Sequence, residues 1–362
     1  MAGINNTKRA LSAALLLLMG LSFALSAQAR KIKQFSADHP YIRFTGRVDF
    51  TNKKLPRFWQ PGVYIEISFS GSTCELILND EVLWGNSHNY YEIVLDGKAT
   101  RHRMQKGTDT LNLSAGLSRG KHTLVIAKNT EANIGWMELA AIRCEKLLPP
   151  APAPIRKIEF IGNSITSGTG ADLSEIACGK GVWQDQHNAW MSYGGLTARS
   201  LNAQFHLSAV SGIGLMHSCC NMGITMPRVF DKVNMRNDTI NWDFSKYQPD
   251  IVTVCLGQND GIQDSTTFVH NYLGFLERLR TFYPLAVIIC LTSPMAHKEL
   301  AQFQLGVVRA VSTARRAAGD SRVFSFAFTR QYSSGCDGHP DMAEHGAIAD
   351  ELTKFIRKEL GW

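Results

Sequence analysis

The chain has 362 residues, 44% of them hydrophobic and 19% charged, and its formal net charge at pH 7 is +7. A length of this size predicts roughly two domains. The positive charge is spread along the chain without a basic block, which argues against nucleic acid as a partner. General solubility, or attraction to an anionic cell surface, explains it better.

Residues 1–29 have the pattern of a signal peptide. Lys8-Arg9 give a charged start, Ala10 to Leu25 form an apolar stretch, and Ala27-Gln28-Ala29 is a cleavage signal. The apolar stretch is short for a membrane span of about 20 residues, and no second one follows. We therefore predict cleavage near Ala29, no membrane span, and a soluble protein of 333 residues, net charge +5, that is secreted or periplasmic.

Residues 30–147 predict a small all-β domain of the jelly-roll or sandwich type. Short stretches rich in β-branched and aromatic residues alternate with turns, as in Tyr90–Leu95 and His122–Ala127. No catalytic spacing occurs in this half of the chain. Trp59, Trp84 and Trp136 either stack on sugars or pack in the core or a domain interface, and packing is the default for buried aromatic residues.

Residues 148–155 form a stiff linker with four Pro, and residues 156–362 then change to an α/β pattern. Apolar strands alternate with long helical patterns, which predicts a parallel sheet covered on both faces. We expect about five strands in a flavodoxin-like order. The predicted strands are Ile158–Ile161, Gln204–Val210, Ile251–Leu256, Ala286–Leu291 and Val323–Phe328.

Ser164 lies where the first of these strands ends. The apolar run Ile158–Ile161 stops at Gly162-Asn163-Ser164. The mouth of a site in an α/β protein lies beyond the carboxyl ends of its strands, and a Gly there permits a sharp turn. Ser164 is therefore a candidate nucleophile, and the alternative is a Ser that only caps the next helix.

Two candidates for binding a negative charge follow later strands. Gly212, in Ser211–Gly214, lets its backbone N–H approach a ligand. Asn259, in Gly257–Asp260, carries an amide that donates to an oxyanion without forming an ion pair. The alternative for the second segment is an ordinary turn.

His339 follows the last strand, within Cys336-Asp337-Gly338-His339-Pro340. Near neutral pH, a His can take the Ser proton and return it to a leaving group. Asp337 is the candidate to hold the imidazole in the required tautomer. The alternative for a lone loop His is a solvated or helix-capping residue.

Taken together, these segments resemble the four blocks of the SGNH, or GDSL-like, hydrolases. The blocks are Gly162–Thr166, Gly212, Gly257–Asp260 and Asp337–Pro340. The β domain, the Pro-rich linker and the segment Ser192–Arg199 are similar to carbohydrate esterase family two in particular. The resemblance covers essentially all of the chain after the signal peptide.

The resemblance implies a set of roles. Ser164 is the nucleophile and His339 the base, and the backbone N–H groups of Ser164 and Gly212 form the oxyanion hole with the Asn259 side chain. The implied reaction removes O-acetyl groups from plant-type polysaccharides or oligosaccharides, such as xylan or glucomannan, often at a sugar 6-hydroxyl. It needs no metal or other cofactor.

One departure concerns the third catalytic residue. The superfamily usually has Asp three residues before the His, where this chain has Cys336. Asp337 takes that role here if a triad operates. Some members of the esterase family instead use a Ser–His dyad, in which a backbone carbonyl orients His339.

Trp183, Trp190 and Asp260 are further candidates for substrate binding. Either Trp can line a sugar cleft, and the alternatives are inward packing for Trp190 and bracing of its own loop for Asp260. The His residues lack the spacing of zinc ligands, so we expect no catalytic metal. We expect the protein to be a monomer.

Four of the eight Cys lie in loops on the presumed active-site side. Export permits disulfides, so we expect at least one among these four that fixes the His339 loop. The pairing stays open, and a bond between Cys219 and Cys220 would be strained. The four residues are Cys178, Cys219, Cys220 and Cys336.

Two other functions compete with the deacetylase. The same machinery can act on lipid or cell-envelope acyl esters, although the loops at 168–188 and 217–221 are more polar than a lipid groove requires. A carbohydrate-binding protein on a disused hydrolase scaffold is the other, and it has no need of Ser164, Asn259 and His339 together.

Overall fold

The computed structural model describes residues 31–237 and 239–362, and the predicted signal peptide lies outside them. In the first described half, ten strands form one antiparallel sheet network. This confirms the all-β prediction. The strands are β1 Lys33–Ser36, β2 Ile42–Thr45, β3 Val48–Asp49, β4 Arg57–Phe58, β5 Tyr64–Asp80, β6 Tyr90–Leu95, β7 Lys98–Arg103, β8 Thr108–Asn112, β9 Lys121–Lys128 and β10 Met137–Leu148.

Strand β5 organises this domain. It is 17 residues long, and alternate side chains along it are buried. Its first part pairs with β2 and β9, and its second part pairs with β8 and β10. Ile65, Ile67, Phe69, Leu76 and Leu78 from β5 are all at most 2% exposed and enter one apolar core. The period of two places one face of the strand inward on each side of Ser72 and Thr73, where the alternation shifts by one residue.

The second half is built on five parallel strands. Their spatial order is β12-β11-β13-β14-β15, so the first strand in sequence is second in space. This is the flavodoxin-like order that the sequence predicts. The strands are β11 Arg156–Gly162, β12 Ala203–Ala209, β13 Ile251–Val254, β14 Val287–Leu291 and β15 Val323–Phe326.

Helices cover both faces of the parallel sheet. Helix α2 (Tyr193–Ser200) packs against α6 (Met342–Leu360), and α4 (Ser265–Phe282) packs against α5 (Lys298–Ala317). Cys255 and Cys290 lie in the two apolar layers, as the sequence predicts for core residues. In the described part of the chain, no helix is long and apolar enough for a membrane span. The helices are α1 Ser164–Ser167, α2 Tyr193–Ser200, α3 Met226–Val229, α4 Ser265–Phe282, α5 Lys298–Ala317 and α6 Met342–Leu360.

A buried ion pair joins the two domains. Arg47, in the turn between β2 and β3, lies 2.8 Å from Glu159 in β11, and their side chains are 1% and 0% exposed. The same guanidinium donates to the backbone carbonyls of Phe230 and Lys232. The α/β domain thus supplies a counter-charge for Arg47 and acceptors for several of its N–H groups. Removing one partner of such a pair typically costs about 3–5 kcal/mol.

The Trp residues of the β domain have different positions. Trp59 is 6% exposed and packs at the domain interface with Trp242 and Tyr247. Trp136 is partly buried beside this cluster, and its ring stacks on Arg57. Trp84, in contrast, is 83% exposed. The packing alternative is therefore correct for the first two.

Candidate active site

Ser164 is the first residue of the short helix α1, directly beyond the end of β11. Asn163 occupies the N-cap, where its side chain accepts a hydrogen bond from the N–H of Ile165 at 3.2 Å. The capping role therefore belongs to Asn163, and the Ser164 hydroxyl is free for another partner. Ser164 is 7% exposed and lines the cavity described below.

The partner of that hydroxyl is His339. The His339 Nε2 atom lies 2.8 Å from Ser164 Oγ, although the two residues are 175 positions apart in sequence. His339 follows a single 3-10 turn, Cys336–Gly338, between β15 and α6. A nucleophile and a base at this distance are in position for proton transfer.

The tautomer of His339 is fixed from behind by the backbone. Its Nδ1 lies 3.1 Å from the Cys336 carbonyl oxygen, which also accepts the His339 backbone N–H at 3.0 Å. Only a protonated Nδ1 can donate to this oxygen. Nε2 is then the ring nitrogen that accepts the proton of Ser164.

Burial lowers the pKa of His339 below its ordinary 6.5. The Cys336 carbonyl and the negative charge of Asp337 act in the opposite direction. The lowered pKa keeps the imidazole neutral at neutral pH. A neutral imidazole is the form that a general base requires.

Of the two alternatives for orienting His339, the geometry favours the backbone carbonyl over Asp337. The residue that holds His339 Nδ1 is Cys336, through its carbonyl, and Asp337 lines the cavity in front of the ring. The reason is local: Asp337 adopts a left-handed conformation, with φ 53° and ψ 33°, within the tight turn. The geometry is that of a dyad supported by the backbone.

Gly212 follows β12, which is the neighbour of β11 in the sheet. Its φ is +80°, and a Cβ at this position would come within 2.7 Å of the Cys219 Sγ. Only Gly fits both the conformation and the space. The Gly212 carbonyl accepts the N–H of Cys219 at 2.8 Å, which fixes the orientation of the loop.

Asn259 follows β13 and reaches the same place. Its Nδ2 donates to the Ile213 carbonyl at 2.9 Å. A carboxamide has two N–H groups. One of them thus orients the side chain against the Gly212 loop, and the other is available for a ligand in the cavity.

Asp260 has the bracing role that the sequence leaves open as the alternative to substrate binding. Its carboxylate accepts three backbone N–H groups, from Leu215 at 2.9 Å, Met216 at 2.6 Å and His217 at 2.8 Å. Asp260 is only 5% exposed. Asp260 therefore braces the loop that carries Gly212.

All four predicted blocks meet at one cavity of about 530 Å³, lined by Ser164, Gly212, Asn259 and His339. Trp183 stands at its rim and is 43% exposed, which suits a ring face presented to a ligand. The described residues contain no cluster of three or more His, Cys, Asp or Glu that could hold a metal ion.

Trp190, in contrast, packs inward, which is the alternative that the sequence leaves open for it. It is 9% exposed and lies in an apolar layer with Tyr64 and Phe205. The Arg199 guanidinium stacks on its ring, 4.1 Å from the centroid. The sequence places Trp190 near the nucleophile but does not reveal that the β domain covers it.

The four loop cysteines form two disulfides. Cys178 is bonded to Cys336, which ties the His339 turn to the loop before Trp183, so the expected disulfide at His339 is present. Cys219 is bonded to Cys220, its neighbour in sequence. This second disulfide lines the cavity beside Gly212.

Sequence reasoning missed two contributions from the β domain. Asn133 lines the cavity, and Glu131 accepts the backbone N–H of Ser211. Both belong to the turn between β9 and β10, a segment with no motif of its own. Thr169, Met222, Gln258 and Met295 also line the cavity.

Two family models match the chain. One, described as carbohydrate esterase 2 N-terminal, matches residues 44–154. The other, the GDSL-like lipase/acylhydrolase family, matches residues 160–352, more than half of the chain. The chain belongs to carbohydrate esterase family two. The protein is thus a carbohydrate esterase, and the resemblance stated from its four motifs is confirmed.

Named relatives agree with this family. A cellulase/esterase, CelE, of Acetivibrio thermocellus is 33% identical over 337 residues, which are 90% of this chain but only 40% of that protein. The chain thus spans less than half of that relative. An acetylxylan esterase / glucomannan deacetylase of Cellvibrio japonicus is 26% identical over 96% of this chain and 98% of its own length.

Solved structures of family two carbohydrate esterases share this fold over most of the chain. One from Clostridium thermocellum, in complex with cellohexaose, has a TM-score of 0.81 and 31% identity, and covers 89% of this chain and 99% of its own. One from Cellvibrio japonicus has a TM-score of 0.81 and 25% identity, covering 91% and 98%.

Proposed function

We propose that this esterase removes O-acetyl groups from plant-type polysaccharides or oligosaccharides, such as xylan and glucomannan, including esters at a sugar 6-hydroxyl. The Cellvibrio japonicus relative is named for deacetylation of these two polymers and matches almost end to end. The rim residue Trp183 offers an aromatic face of the kind that stacks on sugar rings. We also propose export, on the signal-peptide pattern of residues 1–29.

In the proposed mechanism, Ser164 Oγ attacks the acetyl carbonyl while His339 Nε2 takes the Ser164 proton. The tetrahedral intermediate then collapses. The bond between the carbonyl carbon and the sugar oxygen breaks, and the His339 proton passes to that oxygen. Acetyl-Ser164 and a free sugar hydroxyl remain.

The second half of the reaction repeats these proton transfers, with water as the nucleophile and Ser164 as the leaving group. Water enters the place of the sugar, and His339 takes its proton as it attacks acetyl-Ser164. Collapse of the second tetrahedral intermediate returns the proton to Ser164 Oγ and releases acetate. The Cys336 carbonyl stabilises the imidazolium in both halves, because it accepts from Nδ1.

We assign the oxyanion hole to three donors: the backbone N–H groups of Ser164 and Gly212 and the side chain of Asn259. Their residues line one cavity, and Asn259 is already oriented by Ile213. Such donors act on charge that develops only in the transition state. Removing one of them typically costs about a hundredfold or more in rate.

The observation that carries the proposal is the 2.8 Å contact between Ser164 Oγ and His339 Nε2 inside this cavity. A protein that only binds carbohydrate has no use for it. A second candidate, hydrolysis of longer acyl esters, gains some support from the methionines and the disulfide in the cavity wall. An acyl series from acetate to octanoate separates the two.

The test is acetate release from acetylated xylan, acetylated glucomannan and 4-nitrophenyl acetate. Ser164→Ala should abolish release and labelling by a fluorophosphonate. Ser167→Ala is the matched control, since Ser167 is equally buried and its hydroxyl bonds only to the Asn163 carbonyl in the described structure.

The outcomes separate the candidates. Ser164-dependent release from the polymers supports the deacetylase. Cleavage of the small ester alone, with faster turnover of longer chains, favours the acyl esterase. A labelled protein that cleaves neither polymer nor ester refutes the proposed substrate class, and no label at all refutes the nucleophile.

A further inference from the structure

The β domain reaches the loop that carries Gly212 through one buried carboxylate. Glu131, in the turn between β9 and β10, is 0% exposed, and its Oε2 accepts the backbone N–H of Ser211 at 2.5 Å. Ser211 directly precedes Gly212. A side chain of one domain thus holds the backbone of the other, one residue from a proposed oxyanion donor.

A carboxylate is an unusual choice for a site with no access to water. Burial raises the pKa of Glu131 to about 7, against the opposing influence of the Ser211 N–H, the Lys128 charge and the Asn133 side chain. Burying such a group is costly unless its bonds compensate.

The turn that carries Glu131 is itself held in place. Lys128 Nζ donates to the carbonyls of Thr130, at 2.6 Å, and of Glu131, at 3.0 Å. This ammonium group is also fully buried. Because the backbone of the turn is fixed, the position of the Glu131 carboxylate is fixed too.

From the other side, Ser211 is tied to the nucleophile. Its hydroxyl lies 2.8 Å from Thr169 Oγ1, and the Thr169 N–H donates to the Ser164 carbonyl at 3.0 Å. Ser211 therefore bridges the β domain and the nucleophile turn. The bond to Glu131 sets the direction of the Ser211 N–H, and with it the path of the chain into Gly212.

We propose that Glu131 is a positioning residue for the oxyanion hole, supplied by the β domain. This inference rests on the proposed function, in which the Gly212 N–H binds the oxyanion. Glu131 acts through the backbone of Ser211 and touches no reacting atom. The β domain thereby contributes to the rate of the chemical step.

The test compares two substitutions of nearly equal size. Glu131→Met removes the acceptor, and Glu131→Gln keeps an oxygen that can accept the Ser211 N–H. Glu92→Met is the matched control, because Glu92 is another buried carboxylate of the β domain, bonded to Asn129 and raised in pKa by burial. The readouts are kcat and KM for 4-nitrophenyl acetate, the fluorophosphonate labelling rate and the melting temperature.

We expect Glu131→Met to lower kcat and the labelling rate by about tenfold or more, with KM within about twofold, because the lost interaction acts in the transition state. Glu131→Gln should keep most of the wild-type kcat and most of the wild-type labelling rate. Glu92→Met should lower the melting temperature but leave kcat close to that of the wild type.

The inference is overturned if Glu131→Met and Glu92→Met have equal kcat and labelling rates, or if Glu131→Gln is as slow as Glu131→Met. If Glu131→Met does not fold, the labelling rate of Glu131→Gln decides, and a loss above about tenfold contradicts the inference. A wild type that is labelled but releases no acetate refutes the proposed function alone, since the labelling rates still test Glu131.

Discussion

Two loops at the same edge of the parallel sheet form most of the site, and they are held in different ways. The nucleophile turn, residues 162–168, follows β11, and the 210–222 loop follows the neighbouring strand β12. The nucleophile turn is stabilised from within: Ser167 N–H donates to the Asn163 carbonyl at 3.0 Å, and Gly168 N–H to Ile165 at 3.2 Å.

The 210–222 loop depends on groups far away in sequence. Asp260 accepts three of its N–H groups, Asn259 donates to one of its carbonyls, and Glu131 binds its Ser211 from the other domain. Within the loop, Cys219 and Cys220 are bonded to each other. The nucleophile is therefore encoded locally, whereas the proposed oxyanion donor is placed by the tertiary structure.

The largest expected effect is that of removing His339, the base that takes the Ser164 proton. His339→Ala should lower kcat by about a thousandfold or more, since it removes the group that takes the Ser164 proton. Asp337→Ala should cost less than about tenfold, because the Cys336 carbonyl holds Nδ1. Steady-state kinetics on 4-nitrophenyl acetate measures both, and equal losses would show a true triad.

Asn259→Ala tests the other loop. We expect kcat to fall by about a hundredfold with KM almost unchanged, because the amide stabilises charge that exists only in the transition state. The same kinetics, with Gln258→Ala as a neighbouring control in the lining, separates this loss from a general change in the cavity. A rise in KM at constant kcat would instead assign Asn259 to ground-state binding.

Removing one brace from each loop tests the contrast directly. Asp260→Ala leaves three N–H groups without their acceptor and should lower the free energy of unfolding by about 2 kcal/mol or more, and kcat by about tenfold. Asn163→Ala removes one cap, worth about 1 kcal/mol. Urea denaturation and kcat measure both, and equal effects would contradict the claim that the 210–222 loop needs more outside support.

The smallest expected effect is a shift in pH dependence. Since His339 must be neutral to act and burial lowers its pKa, kcat/KM should fall on the acid side with a midpoint below pH 6.5. The charge of Asp337 raises that pKa. Asp337→Asn should therefore move the midpoint to lower pH, and an unchanged profile would mean that solvent screens this charge.

The sequence predicts the residues that four of the five parallel strands present at their carboxyl ends. Ser164, Gly212, Asn259 and His339 each follow an apolar strand, and the topology of the sheet brings these ends together. This placement needs only the strand pattern and the order of a parallel sheet.

Other features depend on information that a linear pattern lacks. The left-handed conformation at Asp337 decides which group orients His339. The residues Cys336–Pro340 do not predict this conformation. Trp190 is buried because Tyr64 of the β domain covers it. Glu131 is close to Gly212 only through the packing of two domains, so no spacing rule would have found it.

The Arg47–Glu159 pair has a consequence for any attempt to dissect this protein. A gene fragment that encodes residues 156–362 alone keeps Ser164, Gly212, Asn259 and His339 but leaves Glu159 without its guanidinium. An uncompensated buried charge costs about 3–5 kcal/mol, a large part of the 5–15 kcal/mol typical of a folded protein. We therefore expect the full chain to melt in one calorimetric transition and the fragment to accumulate as insoluble protein.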